Sequence, residues 1–496
     1  MADKLYKSAK ILAPMVRCGT LPLRLLALRY GANTVYSEEI VDKKLIQCER
    51  IENKILGTID FVSGEVGNRE LVFRTLRQEE HGKLVFQIGT ATPELAVQAA
   101  KVVAADVDSI DVNMGCPKHF SVHSGMGVAL TRDSDRACSI IRALRASLDI
   151  PVSCKIRLLE TVDETVSLVQ ALEAAGAQAI GVHARTASMR PKDKPRWNQL
   201  RQIVESVSVP IIVNGDVWGP LEIKELKELS GCSSFMSARG ALKNIKVCFE
   251  NDIEKAKAEQ EDNQSIIRII HDYVRISIDF DNHGKNTKYV IQYMLKMNNQ
   301  LGSTFGQALS SGKTRTMFDI AKVCGLTGYY DHALAEREKL LSSSSSSSSG
   351  GGGGSSSSSS SKMEDILGTG RVYDDDFFYA RPKKRQKMGT APNVKLPPDF
   401  KNILMQWGDL QTNLTRKQQC PQYQHIDVGA ASDHFDDVAK KSQAKCFKAA
   451  VYVAGKKFIG EWAKSKSQAT SKAAHAAIVE LGIDNESLKG PVTKGY

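Results

Sequence analysis

Ile110-Asp111-Val112-Asn113-Met114-Gly115-Cys116-Pro117-Lys118 is an apolar run that stops abruptly at a glycine, a cysteine and a proline. It reads as a strand end opening into a loop. Ile110, Val112 and Met114 supply packing, but packing does not call for a thiol in the turn, followed by a proline that fixes φ. Cys116 is therefore a candidate for chemistry, weighed against the plain alternative that a free cysteine packs as a small hydrophobe.

Outward from this stretch, short β-rich runs alternate with helical patterns. The strands expected are Ile11–Val16, Asn33–Ser37, Leu84–Gly89, Ser109–Met114, Pro151–Ile156, Ala179–His183, Pro210–Asn214 and Ser233–Ala238. Helical spacing lies between them, as in Pro93–Ala105, Asp133–Leu148, Asp163–Ala175 and Gly219–Leu229. Eight strands in strict β-α alternation predict a (β/α)8 TIM barrel, an α/β fold. The alternative is a doubly wound open sheet. It wants a glycine-rich turn after its first strand, where Ala13-Pro14-Met15-Val16 stands instead.

Barrel active sites collect at the C-terminal strand ends. Read in order, those ends carry Pro14-Met15, Glu38-Glu39, Gln87, Asn113 with Cys116, Lys155 with Arg157, His183 with Arg185, Asn214-Gly215-Asp216 and Ala238-Arg239-Gly240. Any one polar residue here has the dull explanation of a side chain satisfied inside a core. An amide, an ammonium, an imidazole and a thiol converging on one rim weigh the other way. The glycine-bearing ends after strands seven and eight suit a phosphate. Gln87 can donate and accept at a pyrimidine edge, and Lys155 can place a cation where reduction puts negative charge. These pieces assemble into an FMN site, with a phosphosugar as the competing ligand.

Together, Ala13-Pro14-Met15-Val16, Phe86-Gln87-Ile88-Gly89, Asp111 through Lys118 with Gly125-Met126-Gly127-Val128-Ala129-Leu130, Lys155-Ile156-Arg157, Val182-His183-Ala184-Arg185 and Asn214-Gly215-Asp216 resemble the tRNA-dihydrouridine synthases, in register from about Lys10 to Tyr330. The Asn-x-Gly-Cys-Pro element followed by Gly-x-Gly-x-Ala-Leu is the most specific part. The resemblance implies reduction of the 5,6 double bond of a uridine in tRNA, with FMN as cofactor and NADPH as reductant. Cys116 would protonate C5 opposite the flavin. Pro14, Met15, Val16, Gln87, Lys155, His183, Asn214, Gly215, Asp216, Ala238 and Arg239 would hold FMN. Asn113, Arg157 and Arg185 would contact the substrate, and Asn286 and Lys288, in Asn286-Thr287-Lys288-Tyr289, would contact RNA from a helical region after the barrel.

A Ser/Gly tract from Ser342 to Ser361 can bury nothing and is read as a flexible linker. It follows a barrel over 1–250 and a helical domain over 251–341. Beyond it lie a basic extension (362–396), an α-β-β-β-α module (397–482) and a tail (483–496). The module's helices are expected at Pro397–Leu410 and Ser467–Leu481, and its strands at Tyr423–Val428, Ala444–Val453 and Lys457–Ala463. That order resembles a double-stranded-RNA-binding domain, which implies phosphate contacts from Lys464, Lys466 and Lys472. Lys383, Lys384, Arg385 and Lys387 precede it, as a nuclear-import signal or as more RNA-binding surface. Among tRNA-dihydrouridine synthases, a barrel joined to such a module points to the animal enzymes of the second eukaryotic type, which act at tRNA position 20.

The net charge of +11 fits a nucleic-acid partner. Residues 362–496 hold 22 Lys+Arg against 15 Asp+Glu, so +7 of that charge falls in the last quarter of the chain. Ten cysteines without a CxxC pair or a zinc spacing predict reduced thiols and no metal. With no membrane span and no secretory signal, the expectation is a cytoplasmic monomer, also present in the nucleus. Two other readings are an RNA-binding regulator with an inactive barrel scaffold and a flavin-dependent reductase of a free pyrimidine.

Overall fold

The computed structural model describes residues 1–65, 69–262 and 264–346, and the strands Gln422–Ile426, Lys448–Val453 and Lys456–Ile459. The chain forms two compact units, residues 1–383 and 384–496.

In the first unit eight parallel strands close into a barrel: β1 (Lys10–Leu12), β2 (Thr34–Tyr36), β3 (Leu84–Gly89), β4 (Ser109–Asn113), β5 (Val152–Arg157), β6 (Ile180–His183), β7 (Ile211–Asn214) and β8 (Ser234–Ser237). Neighbours pair in chain order, and β8 returns to β1 with Ser237 opposite Leu12. All eight lie where the alternation placed them. β1 is shorter than expected because Pro14 has no N–H for a ladder, and the chain turns there, with the Met15 carbonyl accepting from Cys18 and Gly19.

The period of two along each strand divides the core. Ile110, Val112, Cys154, Ile156 and Val182 face the surrounding helices and belong to one large buried cluster. Ile11, Tyr36, Val85, Ile212 and Met236 belong to a second cluster with Leu5 and Tyr6 of the N-terminal helix Ala2–Tyr6. The Tyr6 hydroxyl hydrogen-bonds Ser109 Oγ at 2.5 Å and Ser153 Oγ at 3.1 Å, which seals the barrel floor. The β4 and β5 residues in phase with these serines, Asp111, Asn113, Lys155 and Arg157, turn the upper interior polar.

Helix ends follow their local chemistry. Thr92 caps Pro93–Val103, Asp133 caps Ser134–Ser147, Thr161 and Glu164 form a reciprocal capping box on Val162–Ala174, and Gly231 at φ +71° ends Pro220–Ser230. Two β additions among the described residues lie between β2 and β3: a short strand, Ile40–Val41, that pairs parallel with the end of β3, and an antiparallel meander, Glu49–Asn53, Thr58–Ser63 and Glu70–Thr75.

Six helices follow the barrel among the described residues, from Ile253–Glu261 to Thr327–Ser346. Within the helical domain expected over 251–341, Ser265–Asp279 and Gly284–Met297 are the two helices that flank residues 280–283. This helical part is tied to the barrel by Asn286, whose Nδ2 donates to the Arg17 carbonyl at 2.8 Å, and to the meander by Arg74, whose Nη1 donates to the Phe280 carbonyl at 2.5 Å. Among the described residues no helix is long and apolar enough to cross a membrane.

In the second unit, Gln422–Ile426, Lys448–Val453 and Lys456–Ile459 pair antiparallel in that order. Each overlaps a strand expected there. The two flanking helices, together with Lys383, Lys384, Arg385, Lys387, Lys464, Lys466 and Lys472, lie outside the described residues.

Candidate active site

Parallel register brings the polar strand ends to one level. Gln87 lies opposite Asp111, Asn113 opposite Lys155, and His183 opposite both Arg157 and Asn214. Two cavities open on this rim. One, of about 330 Å³, is lined by Pro14, Val16, Gln87, Asn113, Cys116 and Lys155, among others. The second, of about 200 Å³, lies at the ends of β6 to β8, against Asn214, Gly215, Asp216, Ala238 and Arg239. Arg157 and His183 line both, so the two adjoin.

The Cys116 loop is held from both sides. Asn113 Oδ1 accepts from the backbone N–H of Gly115 and of Cys116, each at 3.0 Å. Arg157 Nε donates to the Gly115 carbonyl at 2.9 Å. From below, Gly127 at φ +61° packs so closely that a Cβ there would lie 2.4 Å from the Cys116 carbonyl oxygen and 2.6 Å from Ser121 Oγ. This is the physical reason for the second glycine of Gly125-Met126-Gly127. Burial pushes the Cys116 thiol up, and the Glu39 carboxylate adds to that, so the group is a thiol at neutral pH and has a proton to give.

Gln87 is locked beneath this loop. Its Nε2 donates to Asp111 Oδ2 at 2.8 Å, and its Oε1 accepts from Asn113 Nδ2 at 3.2 Å. Burial, with Arg157 nearby, brings Lys155 down to about 8, and Asp111 opposes that fall. Burial and four surrounding cations, beginning with Lys155, bring His183 to about 2, so its imidazole is neutral. Arg185 Nη1 lies 3.4 Å from His183 Nε2. A guanidinium only donates, so Nε2 is the acceptor and Nδ1 carries the hydrogen.

At the second cavity, Asp216 (φ +56°) bridges two guanidiniums, Arg185 at 2.5 Å and Arg239. Gly215 at φ +123° has the backbone conformation that favours glycine, with His183 Cδ2 3.2 Å from where a Cβ would stand, and a Cβ on Gly240 would sit 2.4 Å from the Val217 carbonyl. A cation-lined, glycine-built end adjoining a buried amide and an ammonium has the donor set of a flavin nucleotide, phosphate at one end and ring at the other. The residues present fit that group.

Several expected contacts have other duties. The Arg185 side chain is 98% buried, engaged with Asp216 and with the Asp193 carbonyl at 2.7 Å, and braces the wall of the second cavity. Asn113 holds the cysteine loop. Asn286 is buried on the Arg17 carbonyl, and half-buried Lys288 donates from Nζ to the Ser311 and Thr314 carbonyls at 2.7 and 2.8 Å, so both have partners within the fold. The Met15 side chain packs against the core. From the helical part it is Tyr289 that lines the cavity, with Arg17 over its ring at 5.7 Å. Glu39, Lys118 and Phe120 complete the mouth. Glu39 and Lys118 are visible in the sequence as charges at a strand end and beside the cysteine. Tyr289 stands there only as the last residue of a segment expected to meet RNA.

Residues 11–317 match the family profile described as Dihydrouridine synthase (Dus). The chain belongs to the dihydrouridine synthase family. Within that family it is similar to the tRNA-dihydrouridine(20) synthase of Schizosaccharomyces pombe, 41% identical over 301 residues, which are 59% of this chain and 60% of that protein. The Saccharomyces cerevisiae protein of the same name is 41% identical over 299 residues, 58% of this chain and 77% of its own length. A human family member, named as tRNA-dihydrouridine(20a/20b) synthase-like, is 30% identical over 238 residues, 47% of this chain and 69% of its own. The chain thus spans about three fifths of the S. pombe relative's length. The barrel residues assembled above all fall inside the matched segment.

Proposed function

We propose that this chain is a tRNA-dihydrouridine synthase that reduces the 5,6 double bond of a D-loop uridine at position 20, with FMN as cofactor and NADPH as reductant. The observation that carries the reading is the Cys116 thiol, clamped by Asn113 and Gly127 at the mouth of a cavity that also holds Lys155. A bound flavin supplies the reducing equivalents that NADPH delivers. Gln87, Lys155, His183, Asn214, Gly215, Asp216, Ala238 and Arg239 would hold it, together with Pro14, Met15 and Val16. Cys116 Sγ gives its proton to C5 of the uracil and is left as thiolate, to be reprotonated from solvent. A thiol kept neutral by burial suits this duty, because a general acid must carry its proton at working pH.

The uridine must leave its stack to reach this cavity, so the rest of the molecule has to hold an opened RNA. We assign that to the helical part and to the C-terminal unit, whose three antiparallel strands agree with a double-stranded-RNA-binding domain of the kind joined to the barrel in the animal enzymes. The enzyme acts as a monomer in the cytoplasm, with a nuclear pool if Lys383–Lys387 is an import signal.

Cys116→Ala is the test. The variant should keep flavin and its reduction by NADPH while dihydrouridine formation falls at least a hundredfold, because only protonation is removed. Loss of flavin together with activity would make Cys116 structural. A colourless protein that cannot be reconstituted with FMN would favour the inactive-scaffold reading, and activity on free uracil but not tRNA would favour the free-pyrimidine reductase.

A further inference from the structure

Beneath the cavity runs a continuous hydrogen-bonded chain whose lower links, Tyr6, Ser153 and Asp111, the proposed chemistry does not use. Tyr6 donates to Ser153 Oγ, Ser153 Oγ donates to Asp111 Oδ1 at 2.7 Å, and Gln87 Nε2 donates to Asp111 Oδ2 at 2.8 Å. Gln87 Oε1 in turn accepts from Asn113 Nδ2 at 3.2 Å, and Asn113 Oδ1 accepts from the N–H groups of Gly115 and Cys116. Asp111 is 1% exposed, and among the described residues it has no ion-pair partner within hydrogen-bond distance. We propose that Asp111 is a positioning residue that fixes the sense of both buried amides and so holds the Cys116 loop in register.

The reasoning is one of polarity. A carboxamide offers an oxygen on one side and an NH2 on the other, and it can turn over unless a neighbour forbids it. A carboxylate accepts only. Facing Asp111, Gln87 must present Nε2, which leaves Oε1 for Asn113. Asn113 must then present Nδ2 to Gln87, which leaves Oδ1 for the two backbone donors of the cysteine loop; those donor-only N–H groups, with Glu39 beside Asn113, require the same sense, so Asp111 anchors the far end of a chain fixed from both sides. Reversing either amide sets donor against donor and acceptor against acceptor inside the barrel, where a buried hydrogen bond left unmade is costly. Burial raises the Asp111 carboxyl only to about 6, so it remains an acceptor at neutral pH. Among the described residues nothing else bonded to Gln87 is acceptor-only: the Asn113 amide and the Ser37 hydroxyl, which accepts from the Gln87 backbone N–H, can each serve in either sense.

The readout is the alkylation rate of Cys116 by iodoacetamide in full-length, flavin-stripped protein, followed on the Cys116 peptide, with half-buried Cys48 as internal reference. Asp111→Leu removes the acceptor, so Cys116 should react at least threefold faster while Cys48 is unchanged. Asp111→Asn should restore the wild-type rate within twofold, because its oxygen can face Gln87 while the Ser153 hydroxyl turns to accept from its NH2. Gln87→Leu, which cuts the chain one link higher, should behave as Asp111→Leu and decides the matter if Asp111→Leu does not fold. Unchanged Cys116 reactivity in the folded Leu variants would overturn the proposal. So would equal effects of Leu and Asn at 111, which would make Asp111 a counter-charge for Lys155. The catalytic consequence rests on the reading of Cys116 as acid, but the alkylation does not: if reactivity shifts as expected while Cys116→Ala still forms dihydrouridine, the acid reading fails and the positioning role stands.

Discussion

Lys155 shows what the site demands of a single residue. An ammonium inside a barrel is costly, and the cost appears as its fall from 10.5 to about 8. Between those values the unfolded chain holds a proton that the folded chain has released, so stability should rise with pH from about 8 to 10. At roughly 1.4 kcal/mol per unit, Lys155→Met should stabilise the flavin-free protein by on the order of 2 to 3 kcal/mol at pH 7, and flatten that slope. Flavin affinity and reduction by NADPH should fall together, whereas a gain in neither stability nor slope, by urea titration at pH 7 and 9, would mean that the ammonium reaches solvent. Tyr289 carries a second expectation at this scale. Its ring at the cavity mouth offers a face on which a base can stack, an interaction worth roughly 1 to 3 kcal/mol. Tyr289→Ala should weaken tRNA binding about tenfold with NADPH oxidation unchanged, and Tyr289→Phe should bind as wild type.

At the scale of elements, the turn Gly125–Gly127 is where sequence and geometry meet most closely. Gly127→Ala adds a Cβ 2.4 Å from the Cys116 carbonyl at a backbone angle of +61°. Gly57, in the meander, has φ +67° and nothing within 4 Å of its would-be Cβ. Both alanine variants should lose on the order of 1 to 2 kcal/mol from the left-handed conformation alone. Only Gly127→Ala should also lose dihydrouridine formation; equal activity in the two would show that the seat beneath Cys116 can give way. The strands, their order and the rim residues were legible because a buried parallel strand is an apolar run ended by polar residues where it meets the cavity. The duties of those residues were not legible. Asn113, Arg185 and Lys288 look alike in sequence whether they reach outward or bond to a group elsewhere in the fold, since partners are set by packing. The meander was missed because its half-buried strands, such as Thr58-Ile59-Asp60-Phe61, mix polar and apolar residues and lie between barrel elements that already complete the count.

Across the whole molecule, chemistry is assigned to the first unit, and RNA affinity to its helical part together with the second unit. Deleting residues 384–496 should leave flavin content and NADPH oxidation intact, because residues 1–383 form a compact unit of their own. Binding and modification of tRNA should fall, with the salt slope of binding reduced by roughly 0.7 to 0.9 for each phosphate that is no longer neutralised. Full modification by the truncated chain would assign the C-terminal unit to another partner.

The tyrosine plug in the barrel floor bears on how the protein can be made. Tyr6 reaches Ser153, 147 positions along the chain, and its carbonyl receives the hydroxyl of Ser234, 228 positions along. A ribosome adding about 5 to 20 residues per second needs roughly 10 to 45 s to pass from Tyr6 to Ser234. Through that interval the first strand has β2 beside it and no β8, and its apolar inner face has no floor. The bond from Ser234 to Tyr6 and the pairing of β8 with β1 can therefore form only late in synthesis, so closing the barrel and its floor comes after the other strands are made.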